Sequence, residues 1–159
     1  MILKPDYNVD TLFDIDYKEL KLQGISVILF DLDSTVMPSK SGIYPPAVVN
    51  LLDELKLNFI IAVVSNNKNK TYINKVQSIS DFQIIGHANK PSPRIMKEYL
   101  CVINKTPQET VVIGDRPLTD ILAGKLLGAK TILVDSITKD TEGLPTRFVR
   151  RLERIAIKR

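Results

Sequence analysis

Four short polar stretches stand just beyond apolar runs, and between them they hold the side chains that phosphoryl transfer requires. Asp31-Leu32-Asp33-Ser34-Thr35 follows ISVILF, and Ser65-Asn66-Asn67 follows FIIAVV. Lys90-Pro91 comes next, and Asp115-Arg116 with Thr119-Asp120 follows TVVIG. Two acids at i and i+2 after a strand can diverge, so that Asp31 attacks phosphorus while Asp33 serves the leaving and incoming oxygens as acid and base. Mg2+ takes a few carboxylate oxygens together with waters and a substrate phosphate, which suits Asp31 and Asp115 with one backbone carbonyl. Asp120 could hold the metal waters, or a metal ligand, from behind. The Ser65 hydroxyl and neighbouring backbone N–H groups can bind phosphoryl oxygens, and Lys90 offsets charge on the nucleophile and the transferring group.

Each stretch alone has a plainer reading. D-x-D is common at turns and helix caps, Ser65-Asn66-Asn67 could be a cap, and Lys90-Pro91 a surface loop. The lone His87 is more simply a local hydrogen-bonding residue than a ligand. What singles the set out is that all four occur in order, each beyond its own apolar run.

The elements that must position them alternate. Ile25 to Phe30, Phe59 to Val64, Phe82 to Ile85, Thr110 to Gly114 and Thr131 to Val134 read as strands, short, branched and apolar. Between them, Pro45-Pro46 open a helix with Val48, Leu52 and Leu55 at helical spacing. Tyr72, Ile73, Val76 and Ile79 share a face of the next helix, and Ile95, Met96, Tyr99, Leu100 and Ile103 stack on another. A last helix from Leu118 to Leu127 should end at Gly128. Strands alternating with helices imply right-handed crossovers and a doubly wound, Rossmann-like parallel sheet.

With 159 residues the chain has room for one average domain, here expected over 1–159 with a core at about 25–135. Hydrophobic residues at 44% and charged residues at 25% exclude disorder and fibrous repeats. The longest uncharged run is the twelve residues from Ser41 to Leu52, and it contains two prolines, so no transmembrane segment is expected. No signal peptide is read at the N-terminus, which gives a cytoplasmic expectation. The single cysteine, Cys101, excludes an internal disulfide and a multi-cysteine zinc cluster, and it is expected in the core.

The motifs resemble those of the haloacid dehalogenase (HAD) superfamily of aspartate-nucleophile phosphatases. D-L-D-S-T fits D-x-D-x-T, Ser65 and Lys90 fit the second and third motifs, and G-D-R-P-L-T-D fits G-D-x-x-x-T-D, over Ile25 to Asp135. The resemblance implies a phosphoaspartyl intermediate on Asp31, acid–base work by Asp33, and Mg2+ held by Asp31, the Asp33 carbonyl and Asp115. Ser65, Asn66 and Lys90 would contact the substrate phosphate, with Thr35, Arg116 and Asp120 behind them. It also implies five strands in the order 5-4-1-2-3. Ser34 departs from the asparagine usual in D-x-D-N-T.

Small-substrate members usually carry an inserted cap domain, but Asp33 to Ser65 and Ser65 to Lys90 each hold only a helix and a strand. No cap domain fits there, and capless members tend to take bulky substrates that shield the site themselves. K-P-D-Y-x-V, S-N-N, K-P-S and G-D-R-x-x-T-D-I-L-A-G resemble the YqeG-type phosphatases of HAD subfamily IIIA, whose relatives include phosphatidylglycerophosphate phosphatases. The implied substrate is a phospholipid.

The chain has 22 basic and 18 acidic side chains, yet residues 147–159 alone hold six basic and one acidic residue. A basic amphipathic helix over about 145–159 can lie peripherally on an anionic membrane or pack on the domain. The alternatives are a capless phosphatase for a nucleic-acid end, a phosphoprotein or a sugar phosphate, and a silent scaffold binding anionic partners. The silent scaffold sits poorly with an intact motif set, and nucleic acid is not the expected partner.

Overall fold

The computed structural model describes residues 3–137 together with Leu152 and Ile155. The basic helix expected over 145–159 falls outside the described residues, except that Leu152 and Ile155 are helical and exposed.

Among the described residues six strands form one all-parallel sheet: β1 (Tyr7–Asn8), β2 (Val27–Phe30), β3 (Ile60–Val64), β4 (Gln83–Ile85), β5 (Thr110–Gly114) and β6 (Lys130–Leu133). Their order is β1-β6-β5-β2-β3-β4. The five expected strands lie as expected, and β1 adds an unanticipated sixth beyond β6. Its two residues carry no apolar run. Pairing there is fixed by Asp6, whose carboxylate accepts from the Thr131 N–H (2.8 Å), the Thr131 hydroxyl (2.9 Å) and the Lys125 ammonium (2.8 Å).

Within residues 3–137, five α-helices complete the layers: α1 (Tyr17–Leu22), α2 (Pro46–Leu55), α3 (Lys70–Ser78), α4 (Arg94–Val102) and α5 (Leu122–Leu127). β2 is fully buried because it is covered on both faces. Ile28 and Phe30 join Val48 and Leu52 of α2 and Val76 of α3 in one core cluster. Val27 and Leu29 point the other way, against Met96 and Leu100 of α4 and Ala123 and Leu127 of α5. Burying each such large side chain stabilises by roughly 1.5–3 kcal/mol, so both helical layers are anchored. Leu12, Ile15 and Leu20 enter the first cluster, so the core reaches further towards the N-terminus than Ile25.

Two sequence readings are corrected. Cys101 is exposed, because the buried stripe of α4 runs through Met96 and Leu100 and leaves Cys101 on the solvent side. Ile25 is buried but precedes β2, its N–H donating to the Leu20 carbonyl at 3.1 Å. Among the described residues no cap domain is inserted on either side of β3, and no helix is long and apolar enough to cross a membrane.

Candidate active site

The site is built at the carboxyl ends of β2, β3 and β5. Phe30 pairs with Ile113, so the residues just beyond them, Asp31 and Gly114-Asp115, emerge side by side. The Asp31 N–H donates to the Ile113 carbonyl at 2.9 Å, which carries the parallel pairing one step past the strand. The buried Thr35 hydroxyl lies 3.2 Å from Asp31 Oδ2 and 3.1 Å from Asp115 Oδ1, within hydrogen-bonding reach of both carboxylates.

Beyond β5 the chain makes a π-helical turn, Pro117–Ile121, before α5, a feature that often marks functional sites. The turn brings Asp120 back over Gly114, where an added Cβ would sit 2.4 Å from the Asp120 side chain. A glycine is therefore the residue that lets this carboxylate approach. Asp120 Oδ2 accepts from the Arg116 N–H at 3.1 Å.

Lys90 joins the two sides. Its ammonium donates to Asp31 Oδ1 (2.6 Å), Asp120 Oδ1 (2.7 Å) and the Val64 carbonyl (2.7 Å), which occupies all three protons. The Asn66 side chain clasps the Lys90 peptide from both sides, accepting from its N–H (2.7 Å) and donating to its carbonyl (2.9 Å). Asn66 thus spends its amide oxygen and one of its two amide protons on Lys90. The Ser65 oxygen accepts from the Asn67 N–H at 3.0 Å, and its own proton can still be donated outward.

Burial drives the Lys90 ammonium towards losing its proton, but the charges of Asp120 and Asp31 outweigh it and hold the pKa above the ordinary lysine value. At Asp120, burial and then the charge of Asp31 push the carboxyl up to about 6, against the pull of Lys90. Both shifts are upward, which favours the charged form of Lys90 and disfavours that of Asp120. The lysine direction is the firmer, since one ammonium faces two carboxylates, while the rise at Asp120 reports acid–acid repulsion that a single ammonium does not cancel.

Asp31, Asp115 and Asp120 each offer an oxygen within 4.8 Å of the others'. An all-oxygen, repulsive donor set suits a hard divalent cation, so the residues present fit one. Lys90 and the Arg116 N–H take both oxygens of Asp120, whereas Asp31 Oδ2 and Asp115 Oδ1 share the single Thr35 proton, so Asp31 and Asp115 are the better placed to face it.

Asp33 stands apart from this cluster. Its Oδ1 accepts from the Lys40 N–H (2.7 Å) and from the Tyr72 hydroxyl (2.8 Å). Burial, then the bond and charge of Asp33, push the Tyr72 phenol above its ordinary pKa. Tyr72 had registered in the sequence only as part of an apolar stripe; its place in the first turn of a helix following the Ser65 loop was the available signal. Ser34 has a φ of 72°, a left-handed conformation that asparagine adopts more readily than serine.

A family model described as HAD-hydrolase-like matches residues 87–153. The probable phosphatase YqeG of Bacillus subtilis is 29% identical over 150 residues, taking in 94% of this chain and 87% of that protein.

The chain is thus similar to HAD-like hydrolases by both comparisons.

The similarities are to phosphatases, and the chain is an enzyme of that type. It is also 30% identical, over 98% of its length, to the chloroplastic/mitochondrial phosphatidylglycerophosphate phosphatase 1 of Arabidopsis thaliana, spanning 47% of that relative. Its fold is shared with a HAD-like family hydrolase of Porphyromonas gingivalis, at a TM-score of 0.58 and 15% identity, covering 81% of this chain and 98% of that one.

Proposed function

We propose that this protein is a Mg2+-dependent phosphomonoester hydrolase that forms an aspartyl phosphate on Asp31 and removes the terminal phosphate of phosphatidylglycerophosphate. The observation that carries the chemistry is the Lys90 ammonium held between Asp31 and Asp120 at 2.6 and 2.7 Å, which orients the Asp31 carboxylate as a nucleophile.

Asp31 attacks phosphorus as the ester P–O bond breaks, and Asp33 gives its proton to the leaving oxygen. Asp33 then takes a proton from the water that attacks phosphorus, and the Asp31–phosphate bond breaks to release inorganic phosphate and regenerate both residues. The Ser65 hydroxyl and the Asn66 N–H hold phosphoryl oxygens, and Lys90 contacts the phosphate by exchanging one of its three bonds. Thr35 and Asp120 keep Asp31, Asp115 and Lys90 in place, and Arg116 supports Asp120 through its backbone. Mg2+ on Asp31, Asp115 and the Asp33 carbonyl would neutralise the phosphate charge as the bond to phosphorus forms.

Support for the lipid substrate is the likeness to the plant enzyme along 98% of the chain. The chain also has no cap domain among the described residues, which leaves the site open to a bulky headgroup. Residues 145–159, rich in arginine and lysine, would bring the single domain to an anionic membrane surface. The test is hydrolysis of phosphatidylglycerophosphate in anionic vesicles, against sugar phosphates, nucleotides and phosphopeptides, by the full chain and a form ending at Pro145. Preference for the lipid, reduced in the shortened form while hydrolysis of a small soluble ester persists, is expected. Preference for a soluble phosphate by both forms would remove the lipid assignment.

A further inference from the structure

We infer that Tyr72 is a positioning residue for Asp33: its hydroxyl and the Lys40 backbone N–H together fix the carboxylate in the orientation from which it exchanges a proton with the ester oxygen. The inference rests on the acid–base reading of Asp33 given above.

Both donors reach the same oxygen. Tyr72 Oη is 2.8 Å and the Lys40 nitrogen 2.7 Å from Asp33 Oδ1. Two bonds to one oxygen fix the plane of the carboxylate, and among the described residues no donor is found for Oδ2. Oδ2 is therefore the atom free to carry the proton, with Oδ1 as the accepting carbonyl when the group is protonated.

Neither donor arrives by chance. Lys40 holds a φ of 58°, left-handed for a lysine, so the loop after Asp33 spends conformational energy to aim that N–H. Tyr72 stands in the first turn of α3, where the Asn69 side chain caps the helix by accepting the Tyr72 N–H at 3.1 Å. Its ring packs against the core cluster beside α2 and β3, so the hydroxyl is delivered from a rigid element. Through this contact the helix that follows Ser65 is tied to the loop that follows Asp31, and the acid–base group is aligned with the phosphate-binding loop.

The step assisted is proton transfer alone. As the P–O bond breaks, the proton on Asp33 moves to the leaving oxygen; in the second half, water returns one to Asp33. Tyr72 keeps its own proton throughout. Its effect on ester cleavage, the step that single turnover reads as release of the alcohol or phenol, must then appear only where the leaving group needs protonation, and only when Asp33 is present to supply it.

The experiment is a double-mutant cycle, Tyr72→Phe and Asp33→Asn, assayed in single turnover on an alkyl phosphate and on p-nitrophenyl phosphate, whose phenolate leaves without help. Tyr72→Phe keeps the ring and its packing, and matching urea midpoints would confirm the fold. Asp33→Asn should slow the alkyl ester far more than the aryl ester, and Tyr72→Phe should do the same by roughly tenfold, a part of the 10²–10⁴-fold typical of general acid catalysis. In the Asp33→Asn background, Tyr72→Phe should cost nothing further. Equal losses on both esters, no loss, or the same loss with and without Asp33 would each overturn the assignment while leaving Asp33 in its role. An Asp33→Asn enzyme that treats both esters alike would strike the acid–base reading and the Tyr72 assignment with it.

Discussion

Lys90 and Asp120 form an ion pair 2.7 Å long whose side chains are only 3% and 2% exposed. Taking two charges out of water is costly, and the pair is tolerated because every Lys90 proton and both Asp120 oxygens have partners. The same closure makes the pair sensitive to losing either member.

Lys90→Met should therefore destabilise the protein by about 3–5 kcal/mol at neutral pH, since it leaves Asp31 and Asp120 facing each other without a counter-charge. Adding Asp120→Asn should recover part of that loss. Urea unfolding of the single and double variants at pH 7 measures it, and additive losses would show that the pair is not coupled.

Gly114→Ala places a methyl group 2.4 Å from the Asp120 side chain. Asp120 must then move off Lys90, and a stability loss of about 1–3 kcal/mol together with a marked fall in phosphatase rate is expected. A rate within twofold of the parent would mean that Asp120 can shift without consequence for the site.

Asp6 joins β1 to β6 at the sheet edge. Burial by itself would raise its pKa, but the bonds from Lys125 and Thr131 prevail and lower it below the ordinary carboxylate value. A depressed carboxylate stabilises the fold above its unfolded pKa of about 3.9 and loses that contribution as pH falls through the lower, folded value. Asp6→Asn should thus cost on the order of 1 kcal/mol at pH 7, a modest figure because the side chain is 37% exposed. The gap between the two proteins should close as pH falls below about 4. A gap unchanged down to strongly acidic pH would assign the effect to shape rather than charge.

The positions of Asp31, Ser65 and Asp115 were legible because each lies beyond a buried strand, and a strand covered on both faces announces itself as an unbroken apolar run, whereas Lys90 follows the short, partly exposed β4. β1 was not, since two residues with exposed side chains carry no period and their pairing depends on Asp6 meeting Thr131 across 125 positions of chain. Cys101 was misread because a helical stripe broad enough to include it is narrowed by packing to Met96 and Leu100. The partner of Tyr72 was invisible for a similar reason. Periodicity says that a side chain faces inward, but not that its polar tip meets a carboxylate 39 residues away. Nothing in the spacing of Asn66 showed that its amide also brackets the Lys90 peptide.

The central claim is that phosphate passes through Asp31, and it is tested most directly by acid-quenching the Mg2+-loaded enzyme during turnover of a phosphomonoester and mapping the modified peptide by mass spectrometry. A phosphorylated peptide containing Asp31, absent together with turnover in a well-folded Asp31→Asn protein, is the result predicted. Turnover that survives Asp31→Asn, or phosphate carried on another residue, would contradict the account.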